Sequence, residues 1–275
     1  MTHPTPSAPA ERASVGRGPP DAVVLAAGHG VRLRPLTDSL PKVLVPIDGR
    51  PLLAFHLEAL HAVGIRRVVL VVGYRGEQVR ALVGDGTSFG LEVQYVEQRP
   101  PRGTGDAVRV ARPHLRSDPL LVIYGDVYVP AEGELLRRIL TDTQPKIVAA
   151  HVANGGTLGR LTAVDQDGRE VLAGLLEKDG QPTPGLVNAG VYLLPHRILD
   201  VVDRLPLSPR GEIELPDGVL FLATHDVPIE VVRVEHWFDI ADHENLAAAE
   251  KLARSGRTPS AVPGPTDRAH SDSRQ

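Results

Sequence analysis

A glycine-containing loop followed by cations lies near the start of the chain. Residues 22–27 form a short apolar run rich in β-branched residues, which predicts a buried strand. The loop at residues 28–30 (GHG) comes next, and it is followed by Arg32, Arg34 and Lys42. Glycines let backbone N–H groups approach a ligand, and cations donate charge-assisted hydrogen bonds. The pattern therefore predicts an anion site, most simply for phosphates.

Two general phosphate-binding motifs fit this loop poorly. Read as the dinucleotide motif G-x-G-x-x-G, the loop has Leu33 in place of the third glycine. Read as a Walker loop, it lacks the GK[ST] ending. A Rossmann oxidoreductase also needs an acidic residue about 20 residues past the loop, and Asp48 is available by spacing. The missing glycine and the cations argue against that enzyme class.

Three further features place polar groups where predicted helices or strands begin and end. Residues 103–105 (GTG) begin a predicted helix, whose free N–H groups favour an anion, although a glycine-rich N-cap needs no ligand. Asp126 and Asp239 each end a predicted strand, where a lone aspartate is usually a cap or turn residue. Glu177 and Lys178 end another strand, and such a pair is usually solvated.

Composition favours an ordinary globular protein. The chain has 275 residues, a formal net charge of −4 and no cysteine, so disulfides and thiolate metal sites are excluded. We expect no nucleic-acid or membrane partner, no transmembrane helix and no secretory signal, hence a cytoplasmic location. Residues 1–20 and 254–275 lack periodicity and are expected to be disordered, which leaves one domain at residues 21–253.

The pattern of elements predicts an α/β fold. Strands and helices alternate from residue 21 to residue 152, which favours a Rossmann-like, doubly wound, mostly parallel sheet. From residue 157 onward the pattern changes to a hairpin turning at residues 165–168, a strand at 187–195 and another at 229–240. We expect these to be antiparallel additions beside the ligand-binding edge of the sheet. A final helix is predicted at 242–252.

The segment LAAGHGVRLRPLT…PKVLVPIDGRPLL closely resembles the signature of the sugar-1-phosphate nucleotidylyltransferases, also called nucleotide-sugar pyrophosphorylases. The resemblance extends over residues 21–252, with separate motifs in the family's order. It implies an enzyme that transfers a nucleotidyl group from an NTP to a sugar 1-phosphate, giving a nucleotide diphospho-sugar and pyrophosphate. It also implies Mg²⁺ as cofactor, and the NTP and the sugar 1-phosphate as partners.

The resemblance assigns a role to each candidate site residue. The implied catalytic residues, which hold the triphosphate and neutralise charge at the reacting phosphates, are Arg32 and Lys42. The implied nucleotide-binding residues are Ala27, Gly28, Gly30, Gln98, Gly103 and Thr104. The implied sugar-phosphate-binding residues are Glu177, Lys178 and Asn188. The implied Mg²⁺ ligands are Asp126 and Asp239. Two carboxylates suit Mg²⁺, which also keeps waters and phosphate oxygens.

Several matters stay open at this level. Arg34 either shares the phosphate role or forms a structural ion pair, and residues 210–217 (RGEIELPD) resemble a family segment that we interpret as a structural helix. Val31, Gly105 and Asp179 depart from the residues usual in the family. A non-catalytic regulatory relative is the alternative function, although such relatives usually lose the loop arginine, the lysine or the metal carboxylates. The base, the sugar and the oligomeric state are not predicted.

Overall fold

The computed structural model describes residues 18–153, 155, 158–176, 183–225 and 227–255. Two of the sequence-derived site residues, Glu177 and Lys178, lie outside the described residues. Most of the two segments expected to be disordered, residues 1–17 and 256–275, lies outside them as well.

The described residues form short strands and helices in the following order. The strands are β1 (Asp21–Ala26), β2 (Pro46–Ile47), β3 (Arg50–Pro51), β4 (Arg67–Val72), β5 (Glu92–Glu97), β6 (Leu120–Tyr124), β7 (Val127–Tyr128), β8 (Lys146–Val152), β9 (Arg160–Gln166), β10 (Arg169–Leu176), β11 (Gly185–Leu194), β12 (Glu230–Val234) and β13 (Phe238–Asp239). The α-helices are α1 (Leu36–Ser39), α2 (Leu52–Ala62), α3 (Gly76–Val83), α4 (Thr104–Ala111), α5 (Glu132–Ile139), α6 (Ile198–Val202), α7 (Leu215–His225) and α8 (His243–Ser255). Short 3₁₀ helices lie at Val31–Leu33, Lys42–Leu44, Thr87–Phe89 and Arg112–His114.

One half of the main sheet is parallel, as the alternating pattern predicts. The strand order across the described sheet is β5-β4-β1-β6-β11-β8-β12-β10-β9. Strands β5, β4, β1 and β6 run parallel to one another, so their carboxyl ends meet at one edge. Strands β1, β4 and β6 are almost entirely buried, because helices cover both faces of the sheet. The α/β prediction is therefore confirmed.

The other half of the main sheet contains both parallel and antiparallel pairs. The expectation of a mostly parallel sheet is therefore wrong. Strand β11 lies between β6 and β8 and runs antiparallel to both. Strand β12 is parallel to β8, whereas β10 is antiparallel to β12 and to β9. Antiparallel neighbours can be joined by a short turn, whereas parallel neighbours require a long crossover. The hairpin β9–β10 accordingly turns through only two residues, Asp167 and Gly168, both with left-handed φ.

Two predicted boundaries near the carboxyl terminus are wrong. Residues 229–240 are two strands, of which β12 joins the main sheet and β13 pairs with β7 in a separate two-stranded sheet. The last helix, α8, continues to Ser255, so residues 254 and 255 are helical rather than part of a disordered tail. Arg254 donates a 2.8 Å hydrogen bond to Glu250 one turn earlier, which supports the longer helix.

Apolar clusters fix the layers and bring the last elements next to the first loop. One cluster packs α2, α3 and α5 on one face of the sheet, and a second packs α4, α6 and α7 on the other. A smaller third cluster joins Leu33, just after β1, to Ile47, Tyr128, Ile240 and Leu246. This cluster holds β7, β13 and α8 beside the loop that follows β1. No helix among the described residues is long and apolar enough to cross a membrane.

Candidate active site

A cavity of about 320 Å³ opens at the carboxyl ends of β1 and β6. Most of the described site residues predicted from the sequence line it: Ala27, Gly28, Arg32, Lys42, Gln98, Gly103, Thr104, Asp126, Asn188 and Asp239. Gly30 does not line it, and neither does Arg34, which forms an exposed ion pair of 3.2 Å with Asp38. The geometry therefore favours a structural ion pair for Arg34 over a role in binding phosphate.

The two glycines of the first loop have different surroundings. A Cβ built on Gly28 meets no atom within 4 Å, so the space beside this residue is open. Gly30 has φ +64, and a Cβ there lies 3.0 Å from the Thr37 side chain and 3.1 Å from Lys42 Cβ. The Gly30 carbonyl accepts a 2.7 Å hydrogen bond from the Thr37 hydroxyl. Gly30 therefore shapes the turn, whereas Gly28 lies at the open wall.

Leu33 explains why the third glycine of a dinucleotide motif is absent. It is fully buried in the third apolar cluster and anchors the 3₁₀ helix Val31–Leu33. The backbone N–H of Leu33 donates a 2.9 Å hydrogen bond to the Gly30 carbonyl. Because the apolar side chain points into the core, the neighbouring Arg32 is held at the cavity wall.

Lys42 and two aspartates form the charged floor of the cavity. Lys42 Nζ lies 2.7 Å from Asp126 Oδ2 and 3.4 Å from Asp239 Oδ1. Burial alone lowers the pKa of Lys42, but the two carboxylates raise it above its usual value, so the ammonium stays charged. Burial raises the pKa of Asp126, and the charge of Lys42 overcomes this and lowers it. Burial and repulsion from Asp126 raise the pKa of Asp239 despite Lys42.

The small β7–β13 sheet brings the two aspartates together. Asp126 comes two residues after β6, and Asp239 is opposite Val127 in the antiparallel pair. The backbone N–H of Ile240 donates a 2.9 Å hydrogen bond to the carbonyl of Asp126. Among the residues that the structure describes, no group of three or more His, Cys, Asp or Glu forms a complete metal cage. The pair fits Mg²⁺, which takes one or two carboxylates together with phosphate oxygens and waters.

The opposite wall is built from Gln98 and the start of α4. Gln98 is only 5% exposed, and its Nε2 donates to the Gly103 carbonyl and to Asp106 Oδ2, both at 2.9 Å. Gly103 has φ +98, and a Cβ there lies 2.9 Å from Glu212 Cβ. The Thr104 hydroxyl accepts a 3.0 Å hydrogen bond from the backbone N–H of Leu215. Packing against residues 212–215 therefore explains why a glycine lies at position 103 and a hydroxyl at position 104.

That packing exposes a wrong interpretation of residues 210–217. The segment is not helical until Leu215, where α7 begins. Arg210, Glu212 and Glu214 line the cavity, as do Tyr124 and Trp237, which sequence reasoning did not assign to the site. Charged residues immediately before a helix are a usable signal for such positions.

Asn188 lies on the antiparallel half of the sheet and has local partners. Its Oδ1 accepts a 3.0 Å hydrogen bond from the backbone N–H of Gly190, and its Nδ2 donates to the Tyr192 hydroxyl. The Tyr192 hydroxyl donates in turn to the Tyr124 hydroxyl at 3.1 Å. Gly190 has φ +74, and a Cβ there lies 2.8 Å from the Tyr124 ring. Asn188 therefore stabilises the irregular pairing of β11 while facing the cavity.

Comparison with known proteins identifies the family of this chain. The family model described as "Nucleotidyl transferase" matches residues 21–255. The chain belongs to the nucleotidyl transferase family. The glucose-1-phosphate thymidylyltransferase of Streptomyces antibioticus is 36% identical over 222 residues, which is 79% of this chain and 62% of the relative. The mannose-1-phosphate guanylyltransferase of Mycobacterium tuberculosis is 32% identical over 241 residues, 87% of this chain and 66% of the relative.

The fold of this chain is also similar to that of a solved structure. UDP-glucose pyrophosphorylase complexed with UDP-glucose matches with a TM-score of 0.72 and 18% identity, covering 86% of this chain and 99% of that chain. At this identity the likeness establishes the fold alone. The chain spans less than two thirds of the length of the Streptomyces and Mycobacterium relatives.

Proposed function

We propose that this protein transfers a nucleotidyl group from an NTP to a sugar 1-phosphate, giving a nucleotide diphospho-sugar and pyrophosphate. The observation that carries the proposal is the convergence of Arg32, Lys42, Asp126 and Asp239 on one cavity beside the open face of Gly28. Cations that neutralise a triphosphate and carboxylates that hold a metal are the groups that phosphoryl transfer requires.

The proposed reaction is an in-line displacement at the α-phosphate. An oxygen of the sugar phosphate attacks the α-phosphorus, and the bond from that phosphorus to the pyrophosphate oxygen breaks. The protein's contribution is positioning and charge neutralisation. Arg32 holds the triphosphate, the backbone at Gly28 lies against it, and Lys42 neutralises charge at the reacting phosphates. Gly30 contributes by shaping this loop.

Mg²⁺ is the proposed cofactor, with Asp126 and Asp239 as its protein ligands. When bound, it supplies positive charge that stabilises the phosphate oxygens. Burial and repulsion from Asp126 raise the pKa of Asp239, and a bound cation would relieve that repulsion.

The two halves of the sheet are proposed to divide the substrate. The parallel half is the Rossmann-like nucleotide side, where Ala27 contacts the nucleotide and Gln98, Gly103 and Thr104 contact the base and ribose. The antiparallel half is the sugar side, where Asn188 contacts the sugar. Glu177 and Lys178, which follow β10 in the sequence, are proposed to complete this side. The proposed catalytic domain is residues 21–253.

The names of the relatives support the reaction class rather than one substrate pair. The Streptomyces relative is a thymidylyltransferase acting on glucose 1-phosphate, and the Mycobacterium relative is a guanylyltransferase acting on mannose 1-phosphate. What the two names share is nucleotidyl transfer to a hexose 1-phosphate, and that shared reaction is proposed for this chain.

A pyrophosphate-release screen tests the proposal. The full chain is incubated with Mg²⁺, each of five NTPs and a panel of sugar 1-phosphates, with and without EDTA. We expect release that depends on both substrates and on Mg²⁺. The variant Asp126→Asn should lose it, while Asp85→Asn, which changes an exposed aspartate outside the cavity, should keep it. Nucleotide binding without any pyrophosphate release would indicate the regulatory alternative instead.

A further inference from the structure

The turn that follows β4 lies directly against the end of β1. A Cβ built on Gly73 lies 2.9 Å from the carbonyl oxygen of Ala27, which is closer than a real Cβ approaches another atom. The backbone N–H of Tyr74 donates a 3.4 Å hydrogen bond to the same oxygen. Because only glycine permits this approach at residue 73, the two backbones are in contact where the loop of residues 28–30 begins.

His29 supplies the single side chain of residues 28–30, and this side chain packs on Tyr74. The two rings are stacked, with centroids 4.7 Å apart and planes inclined by 25°. Because the residues on either side of His29 are glycines, no other side chain of this loop can hold it in place. Gly28, which lines the cavity, comes immediately before His29 in the chain. The stack therefore limits the movement of the backbone at the open cavity wall.

The same turn also holds the end of α1. The Tyr74 hydroxyl donates to the carbonyls of Thr37 and Asp38, at 3.1 Å and 3.2 Å, so its one hydrogen is shared between them. Arg75 Nη2 donates a 2.7 Å hydrogen bond to the Asp38 carbonyl, and Arg75 Nε donates a 3.0 Å hydrogen bond to the Tyr74 hydroxyl. The last carbonyls of a helix have no partner within it, so these donors satisfy groups that the four-residue helix leaves free.

Arg75 has a backbone conformation that residues with a side chain rarely adopt. Its φ is +51 and its ψ is +35, in the left-handed region. A residue other than glycine keeps such a conformation where its surroundings fix it, and here the guanidinium is fixed by Tyr74 and Asp38. The guanidinium also lies over the Tyr74 ring, 5.4 Å from its centroid. These contacts hold the turn in one conformation.

Arg32 lies in the chain between the two points that Tyr74 contacts, His29 and α1. The segment is also closed onto itself, because the Thr37 hydroxyl donates a 2.7 Å hydrogen bond to a carbonyl of the glycine loop. Tyr74 and Arg75 are not among the residues that line the cavity, whereas Arg32 is. The turn can therefore affect a ligand in the cavity only through the segment that it holds.

We infer that Tyr74 and Arg75 are positioning residues for the triphosphate. They hold residues 28–39 in the arrangement in which the backbone at Gly28 and the side chain of Arg32 meet the phosphates. A segment that is already ordered loses less conformational entropy when its ligand binds, so loosening it weakens binding of the NTP. The sugar side of the cavity lies away from these contacts and is not affected. This role rests on the proposed function, in which Gly28 and Arg32 bind the triphosphate.

Steady-state pyrophosphate release by the full chain with Mg²⁺ separates the effects on the two substrates. Tyr74→Leu loses both the stack and the hydroxyl, and we expect its KM for the NTP to rise at least about tenfold. Its KM for the sugar 1-phosphate should stay within about twofold and its kcat within about threefold, because the bound NTP restores the arrangement of the segment. An unchanged KM for the NTP, or an equal rise in both KM values, would overturn the inference.

A conservative variant and a matched control sharpen this result. Tyr74→Phe keeps the stacked ring and loses the hydroxyl, so its KM for the NTP should lie between those of wild type and Tyr74→Leu. Tyr95→Phe is the control, because the Tyr95 hydroxyl also donates to a backbone carbonyl, that of Gly84, but does not line the cavity. Equal changes in Tyr74→Phe and Tyr95→Phe would count against a specific role for the turn.

Variants of His29 test the stack from its exposed side, where folding does not depend on the side chain. His29→Ala should raise the KM for the NTP about threefold or more, and His29→Phe, which can still stack, should keep it near the wild-type value. In His29→Ala combined with Tyr74→Leu the rise should be smaller than the product of the two single rises, because both remove one contact. A wild-type KM in His29→Ala contradicts the inference. Equal rises in His29→Ala and His29→Phe also contradict it, because they assign the effect to the imidazole itself.

Failure of the proposed function can be distinguished from failure of this inference. If no substrate pair gives pyrophosphate, calorimetric titration with UTP, dTTP, GTP, CTP and ATP in the presence of Mg²⁺ still tests the role of the turn. His29→Ala should then bind the preferred NTP about threefold or more weakly than wild type. Equal affinities would overturn the inference, and absence of NTP binding by wild type would overturn both.

Discussion

The Lys42 ammonium donates a 2.7 Å hydrogen bond to the carboxylate of Asp126, which lies 84 positions further along the chain. The same ammonium lies 3.4 Å from Asp239. One cation thus compensates two carboxylates that repel each other, in a place where the Lys42 side chain is only 8% exposed. The charges at the cavity floor are held together by this lysine.

Removing the ammonium should abolish most of the activity. In Lys42→Met the side chain keeps its approximate length but loses the charge that the proposed function places at the reacting phosphates. We expect the rate of pyrophosphate release to fall at least about a hundredfold, as for other groups that stabilise charge in the transition state. The matched control is Lys251→Met, an exposed lysine on α8. Equal rates for the two variants would remove Lys42 from the proposed mechanism.

Gly28 offers a substitution that separates binding from folding. Its φ lies outside the left-handed region and a Cβ there meets no atom, so Gly28→Ala should keep the wild-type melting temperature. The added methyl group projects into the space proposed for the nucleotide and should weaken nucleotide binding about tenfold or more. Gly18→Ala, at another glycine with open surroundings, is the control. Calorimetric titration of NTP with Mg²⁺ measures the difference, and unchanged affinity would place the nucleotide elsewhere.

The local pattern of the sequence predicts much of the parallel half of the fold. The first strand differs from its predicted range by only one residue at each end. The turn at Asp167 and Gly168 also follows from residue type, since both residues adopt left-handed φ. These features depend on contacts close in sequence, which is why they can be predicted from it.

The features that sequence reasoning missed depend on distant contacts. The antiparallel direction of β11 was expected, but its insertion between β6 and β8 is set by pairing with strands that are distant in the sequence. The cavity-lining position of Glu212 follows from packing on the turn at Gly103. The Gln98 amide donates a hydrogen bond to Asp106. In the sequence, Asp106 is simply an acidic residue in the first turn of a helix, so nothing local indicates this contact.

Gly103 should respond to substitution in the opposite way from Gly28. Its φ is +98, and an added Cβ overlaps the Ile213 carbonyl and lies 2.9 Å from Glu212 Cβ. Gly103→Ala therefore combines backbone strain with a steric clash and should lower the free energy of unfolding by about 1–3 kcal/mol or more. Urea denaturation of this variant beside Gly28→Ala provides the comparison. A wild-type unfolding midpoint for Gly103→Ala would show that the turn can move away from residues 212–213.

A buried pair of side chains behind the cavity makes stability depend on pH. His56 on α2 and Glu132 at the start of α5 are 0% and 4% exposed, and His56 Nδ1 lies 2.8 Å from Glu132 Oε2. Burial alone lowers the pKa of His56, but the charge and hydrogen bond of Glu132 raise it above its usual value. The backbone of Gly125 and the charge of Asp126 act in the same direction. The folded state therefore favours the imidazolium more strongly than the unfolded chain does.

Because the folded pKa of His56 lies above the unfolded one, its contribution to stability is complete below about pH 6.5 and is lost as pH rises through the folded pKa. His56→Ala leaves Glu132 buried without its partner and should cost about 3–5 kcal/mol. The double variant His56→Leu with Glu132→Met removes both charges, so it should retain more stability than the single variant. Urea unfolding from about pH 6 to pH 9 checks both expectations. Relative to the double variant, wild type should lose stability as the pH rises, and parallel stability curves would show that the pair does not titrate with folding.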